Sequence, residues 1–188
     1  MDALIVCGMP ASGKTTVARL LAAKLGVRSM NAGDVLKDIA SEKGYRVTGA
    51  DWWDTPEGMR FLGERAANPE FDREADRRVL GLIEGGDVVV TSYVMPWLAK
   101  MGTKCWLEAS LEVRASRLAA RDGIAQEEAR RITAARDREN RDLYKKHYGI
   151  ELGTDMKPFN IVLDVNNMTP ERAADAVLEL IGAGKRGV

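Results

Sequence analysis

Cysteine is scarce: the chain of 188 residues holds two, Cys7 and Cys105. Both fall in apolar, strand-like runs, which reads as buried free thiols rather than a disulfide framework or a metal site. An excess of charge of either sign is also missing. Lys+Arg and Asp+Glu each number 28, and the formal net charge is zero. A general nucleic-acid or membrane-surface binder would be basic overall, so neither class is expected, while a local basic cleft stays open. No apolar run approaches the length of a membrane span. No signal peptide is seen: the start is acidic and runs straight into an apolar strand, so a cytoplasmic location is expected. There is no internal repeat, no low-complexity block and no N-K-x-D motif of the kind that marks GTPases. The length suits one α/β domain with a sizeable core.

What is present is concentrated near the start. Gly8-Met9-Pro10-Ala11-Ser12-Gly13-Lys14-Thr15 fits G-x-x-x-x-G-K-[ST], a phosphate-binding loop. The apolar run Ala3–Cys7 precedes it, and Val17, Leu20, Leu21 and Leu25 follow at helical spacing before Gly26. Strand, glycine-bounded loop and helix form the context the motif needs. Backbone N–H groups of Gly8 to Thr16 would close around nucleotide phosphates at a helix N-terminus. Lys14 would place its charge on the β/γ-phosphates, and the Thr15 hydroxyl would meet Mg²⁺. ATP and Mg²⁺ are the expected donor and metal.

Strands are expected at residues 3–7, 27–30, 87–92, 104–108 and 161–165, with helical stretches between them. That alternation predicts a five-stranded parallel sheet with helices on both faces, a three-layer α/β/α P-loop fold. Ser110 and Thr169 are placed to cap helices, Gly123 to end one, and the tail Gly182–Gly187 to fray. Residues 44–70 and 121–147 interrupt the alternation. Both are placed to cover the C-terminal edge of the sheet, where substrates gather in such folds.

Three features bear on the chemistry. Asp34, after the second strand, suits either an acceptor hydroxyl or magnesium-bound water, or a helix cap. On a helix starting near Pro69, Asp72 and Asp76 share one face and Arg73 and Arg77 another. These groups either bind phosphate and sugar or base groups, or knit a solvated face with ion pairs. The arginines from Arg114 to Arg141 include enough to arm a lid that neutralises a transferring phosphoryl group and excludes water. Together these favour a small kinase over a hydrolase. The acceptor is expected to be a nucleotide or another small molecule.

Several segments resemble the short, type 2 cytidylate kinases. They are Gly8–Thr16, Asn31-Ala32-Gly33-Asp34, Asn68-Pro69-Glu70-Phe71-Asp72-Arg73-Glu74, Leu111–Ala115, Tyr144–Ile150 and Ile161–Val165. The resemblance implies a nucleoside-monophosphate kinase fold in a single domain over 1–188. Its substrate-binding excursion would span about 34–80 and its small lid about 121–140. It implies transfer of the γ-phosphate of ATP to CMP or dCMP. By position, Arg121 and Arg136 would join Lys14 as catalytic groups from the lid side. Asp34, Lys37, Asp72 and Arg73 would lie toward the acceptor, with Arg77 and Tyr93 also expected there. Asp34 would share the metal with Thr15. Two features depart from the family pattern. Lys37 stands where an arginine is usual, and Thr91-Ser92-Tyr93 replaces E-G-R after the third strand. In the longer segment 44–67, Trp52 and Trp53 either stack on the acceptor base or pack the excursion against the core. A hydroxyl acceptor on a different small molecule or an RNA, with Asp34 as base, and a nucleotide-binding regulator without turnover, are the alternative readings.

Overall fold

The computed structural model describes residues 1–48, 52 and 55–184. Trp53, Asp51 and Asp54 lie outside these residues, as does the tail from 185 onward. Five parallel strands form one sheet in the order β2-β3-β1-β4-β5. They are β1 (Leu4–Cys7), β2 (Arg28–Asn31), β3 (Val88–Thr91), β4 (Thr103–Glu108) and β5 (Ile161–Asp164). Every expected strand is present, with ends displaced by a residue or so. β2 begins one residue late because Arg28-Ser29-Met30-Asn31 is an edge segment, exposed at Arg28 and Ser29, with no apolar run to mark it.

The pleat sends alternate residues of β1 to opposite faces. Leu4 and Val6 pack with Val17 and Leu21 of α1 (Lys14–Leu25) and with Val177 of α8 (Pro170–Gly184). Ile5 and Cys7 pack on the other side with Ile39 of α2 (Ala32–Glu42), Val79 and Ile83 of α4 (Glu70–Glu84) and Met95 of α5 (Met95–Leu98). A sheet buried on both faces needs such continuous apolar strands. Both cysteines are buried free thiols, and burial pushes each up to about 12.

The helix ends follow their sequence signals. Gly26 and Gly123 adopt left-handed conformations at the ends of α1 and of α6 (Leu111–Asp122). The Ser110 hydroxyl accepts from Val113 N at 3.3 Å, and the Thr169 hydroxyl from Arg172 N at 3.3 Å. Asn31, not Asp34, caps α2, accepting from Gly33 N at 2.9 Å. Asp34 sits in the first turn. Gly182–Gly184 belong to α8 instead of fraying, and the rest of the expected tail lies outside the described residues.

Between α2 and α4 lies α3 (Pro56–Ala67). Its Phe61 packs with Tyr45 and the fully buried Trp52 in a small core of their own. Trp52 therefore packs the excursion. Residues 121–148 comprise the end of α6, a short turn and the long helix α7 (Gln126–Tyr148). Among the described residues, no helix is long and apolar enough to cross a membrane.

Candidate active site

The loop from Gly8 to Gly13 joins β1 to α1 at the C-terminal edge of the sheet. Its shape depends on missing side chains. A Cβ on Gly8 would fall 2.6 Å from Ser12 Oγ and 2.7 Å from the Leu107 carbonyl oxygen. Gly13 takes φ 96° as α1 begins, and Ala11 holds φ 61°, a rare conformation for a residue with a side chain. The Ser12 hydroxyl is buried with no hydrogen-bond partner among the described residues. A loop held this tightly, with an unsatisfied polar atom in it, fits a phosphate chain.

Two arginines of α6 brace the loop from behind. Arg114 donates to the Pro10 carbonyl at 3.1 Å and the Ala109 carbonyl at 3.0 Å. It also grips both carboxylate oxygens of Asp137 at 2.7 Å, and both side chains are buried. Arg117 donates to the Ser12 carbonyl at 3.0 Å and to the Val165 carbonyl at 2.6 Å. The carbonyls of the loop are thus tied back to α6, with Asp137 recruiting α7.

Three cavities meet at Thr15 or border it. One of about 450 Å³ runs from the loop along Arg117 and Arg121 to an apolar wall of Val165, Met168, Pro170 and Ala173. A second, about 520 Å³, is lined by Lys14, Arg65, Asp72, Asp76, Tyr93, Arg136, Tyr144 and Tyr148. Ala11, Lys14, Thr15 and Arg121 line both. The third, about 340 Å³, brings Asp34 and Lys37 beside Thr15, Arg19 and Thr91.

Lys14 Nζ donates to the Met9 carbonyl at 2.9 Å, lies 3.4 Å from the Tyr93 hydroxyl and stands 4.7 Å from the centre of the Tyr93 ring. Tyr93 begins an aromatic wall, with Tyr144 at 5.5 Å and Tyr148 a further 6.0 Å from Tyr144 between ring centres. Burial raises the pKa of both Tyr144 and Tyr148. Ser92, beside Tyr93, accepts from Val94 N and Met95 N at 3.2 Å and so starts α5.

Beside the wall, Arg65 of α3 places Nε at 2.9 Å and Nη2 at 2.7 Å from Asp72 Oδ1. The Tyr148 hydroxyl donates to Asp76 Oδ2 at 2.8 Å. Burial, helped by the Asp72 charge, lifts Asp76 to about 6, against the opposing pull of Tyr148 and Arg65.

Of the residues expected from sequence, Lys14, Thr15, Asp72, Tyr93, Arg121 and Arg136 meet in or around the second cavity. Asp34 and Lys37 line the third. Arg121 also pairs with Asp122 at 2.5 Å. Arg73 and Arg77 line none of the three. They pair on the exposed side of α4 with Glu70 and with Glu74, the latter at 2.8 Å. Sequence reasoning missed Arg65, Tyr144 and Tyr148 as site residues, and had Asp76 only as a carboxylate that either binds a ligand or knits a solvated face. For Asp76 a signal existed, because Asp72 and Asp76 continue the stripe of Ala75, Val79 and Ile83 that packs on the sheet.

Residues 6–167 match the cytidylate kinase-like family. The chain is 32% identical over 169 residues to the cytidylate kinase of Pyrococcus horikoshii, covering 89% of this chain and 82% of that one. With that of Ignicoccus hospitalis it shares 32% over 184 residues, covering 96% and 99% of the two chains. With that of Methanopyrus kandleri it shares 34% over 179 residues, covering 89% and 86%. Among solved structures, shikimate kinase from Acinetobacter baumannii in complex with shikimate superposes with a TM-score of 0.60 at 18% identity, over 98% of this chain and 95% of that one. Shikimate kinase from Bacteroides thetaiotaomicron gives 0.60 at 18%, over 96% and 98%. Those two likenesses establish the α/β P-loop kinase fold alone, while the sequence relatives support a nucleotide kinase. With the match running from within β1 to just beyond β5, the chain belongs to the cytidylate kinase-like family.

Proposed function

We propose that this protein is a nucleoside-monophosphate kinase that transfers the γ-phosphate of ATP to CMP or dCMP. The observation that carries the reading is the pair of cavities sharing Lys14, Thr15 and Arg121. One suits a triphosphate lying on the loop with its base against the apolar wall. The other suits an acceptor brought to the same lysine from the opposite side.

The residues present fit ATP with Mg²⁺. The loop offers amides to the phosphates, and Thr15 offers a hydroxyl to the metal, with Asp34 placed to reach a metal-bound water. Bound there, Mg²⁺ would neutralise charge on the β- and γ-phosphates. Lys14 stabilises the charge that spreads over the transferring group. Arg121 and Arg136 add to it and exclude water as α6 and α7 close. The acceptor nucleophile is already a phosphate oxygen, so no strong base is required. Its alignment with the phosphorus is the main task.

The polar set on the far wall suits cytosine. The base presents an amino group that donates to a carboxylate and ring acceptors that receive from a guanidinium. Asp72, Asp76 and Arg65 supply both kinds of partner on one wall. The names of the curated relatives point the same way. A coupled assay of ATP consumption with CMP, dCMP, UMP and AMP tests the reading. CMP and dCMP should raise consumption well above the acceptor-free rate. The reading fails if none of the four does.

A second reading has one observation in its favour. Asp34 and Lys37 share a cavity with Thr15 that is separate from the aromatic wall, which would suit a hydroxyl acceptor with Asp34 as its base. Asp34→Asn would abolish transfer in that case and leave appreciable activity in a monophosphate kinase.

A further inference from the structure

Asp72 and Asp76 lie one turn apart on α4, yet their environments differ. Asp72 Oδ1 accepts from both Nε and Nη2 of Arg65. Asp76 has a single partner among the described residues, the Tyr148 hydroxyl on Oδ2 at 2.8 Å, which leaves Oδ1 for a ligand. The two carboxylates share a cavity wall, and like charges this close disfavour double ionisation.

We propose that Asp76, held by Tyr148, reads the exocyclic group at C4 of the acceptor pyrimidine, and that its protonation decides between an amino and a carbonyl group there. This rests on the pyrimidine monophosphate kinase reading above. The Tyr148 hydroxyl donates to Oδ2, so a proton taken up by Asp76 goes to Oδ1. Ionised, Oδ1 accepts from the amino group of cytosine. Protonated, it donates to the carbonyl oxygen of uracil, which an ionised carboxylate would repel. The two acceptors therefore need opposite states of one oxygen.

Other charged groups around this site set where the change occurs. On the same wall, the Asp72 charge favours the protonated form and Arg65 the ionised one. Tyr148 stabilises the ionised form by donating, and half-buried Tyr144 stands next to it in the aromatic wall. Lys14, Arg121 and Arg136 line the same cavity, where their positive charge favours ionisation, together with the ring of Tyr93. Burial dominates and places the change near pH 6, between the ordinary carboxylate range and neutrality.

The test is kcat/KM for CMP and for UMP between pH 5.5 and 8, expressed as their ratio. Ionisation of the acceptor phosphate affects both nucleotides alike and cancels, and cytosine itself remains unprotonated over this interval. The ratio should fall about tenfold or more as the pH is lowered through the interval. In Tyr148→Phe the fall should occur at higher pH, because a donor to the carboxylate is gone. In Asp76→Asn the ratio should lose its pH dependence, since the amide does not titrate. Turnover of CMP with a flat ratio in the parent protein would overturn this inference and leave the kinase reading standing. A sloping ratio that persists in Asp76→Asn would do the same. Turnover of neither nucleotide would overturn both.

Discussion

Removing the Asp137 carboxylate should destabilise the protein more than its place in a charged helix suggests. In Asp137→Ala, Arg114 keeps its bonds to the Pro10 and Ala109 carbonyls but loses the two at 2.7 Å to the carboxylate. Its side chain is only 5% exposed, so water cannot replace them. An uncompensated charge at such a depth costs about 3–5 kcal/mol. With a urea m-value of about 2 kcal/mol/M, the midpoint should fall by about 2 M, followed by tryptophan fluorescence. The control is Arg114→Met combined with Asp137→Leu, which removes both charges and fills the space. It forfeits the two carbonyl bonds, about 1–2 kcal/mol, yet should be more stable than the single variant. The reasoning is refuted if Asp137→Ala costs under about 1 kcal/mol, or if the double variant is less stable than the single one. Phosphoryl transfer should also fall in Asp137→Ala, since the pair connects α7, which carries Arg136, to Pro10 of the phosphate loop.

Three further outcomes are expected. Gly8→Ala should lose about 1–3 kcal/mol by thermal unfolding, and most of its affinity for a non-hydrolysable ATP analogue by calorimetry, because the new Cβ meets the Leu107 carbonyl at 2.7 Å. Asp76→Asn should be more stable than the parent at pH 7.5. The raised pKa of Asp76 means its neutral form stabilises the fold fully at low pH, and this contribution disappears as pH rises through about 6. The advantage of the asparagine should therefore shrink as pH falls below 6. It is on the order of 1 kcal/mol after allowance for partial exposure, and denaturant unfolding at both pH values checks it. Tyr93→Phe should change the acceptor KM by less than about threefold, because the ring that faces Lys14 at 4.7 Å remains. Tyr93→Ala should raise it about tenfold, by removing both that ring and its packing on Tyr144.

The parts of the fold that were legible in the sequence are those written in local chemistry. Gly8–Thr15, the apolar strands β1 and β3, the caps Ser110 and Thr169, and the helix ends at Gly26 and Gly123 each carry their signal within a few residues. β2 was displaced by one because an edge strand reading Arg28-Ser29-Met30-Asn31 lacks an apolar pattern. Asn31 took the cap that Asp34 was equally suited to on composition, since the two differ only in where the chain leaves the strand. The site itself was half visible. The two faces of α4 could be listed, but which turned inward depended on Val79 and Ile83 packing on the sheet. Arg65 meets Asp72 and Asp76 meets Tyr148 only after α3, α4 and α7 have assembled, and no spacing records that. Likewise the run 121–147 reads as solvated charge. Nothing local separates Asp137, which is buried, from the exposed carboxylates beside it.

The central claim is that a triphosphate on the Gly8–Thr15 loop hands its terminal group to a pyrimidine nucleotide in the adjoining cavity. Following label from [γ-phosphate]-labelled ATP into the nucleotide product, with CMP and Mg²⁺ present, tests it most directly. Labelled CDP should form only when CMP is supplied, and Lys14→Ala should slow its formation about 100-fold or more. Label released solely to water, or CDP formed equally fast by Lys14→Ala, would contradict the account.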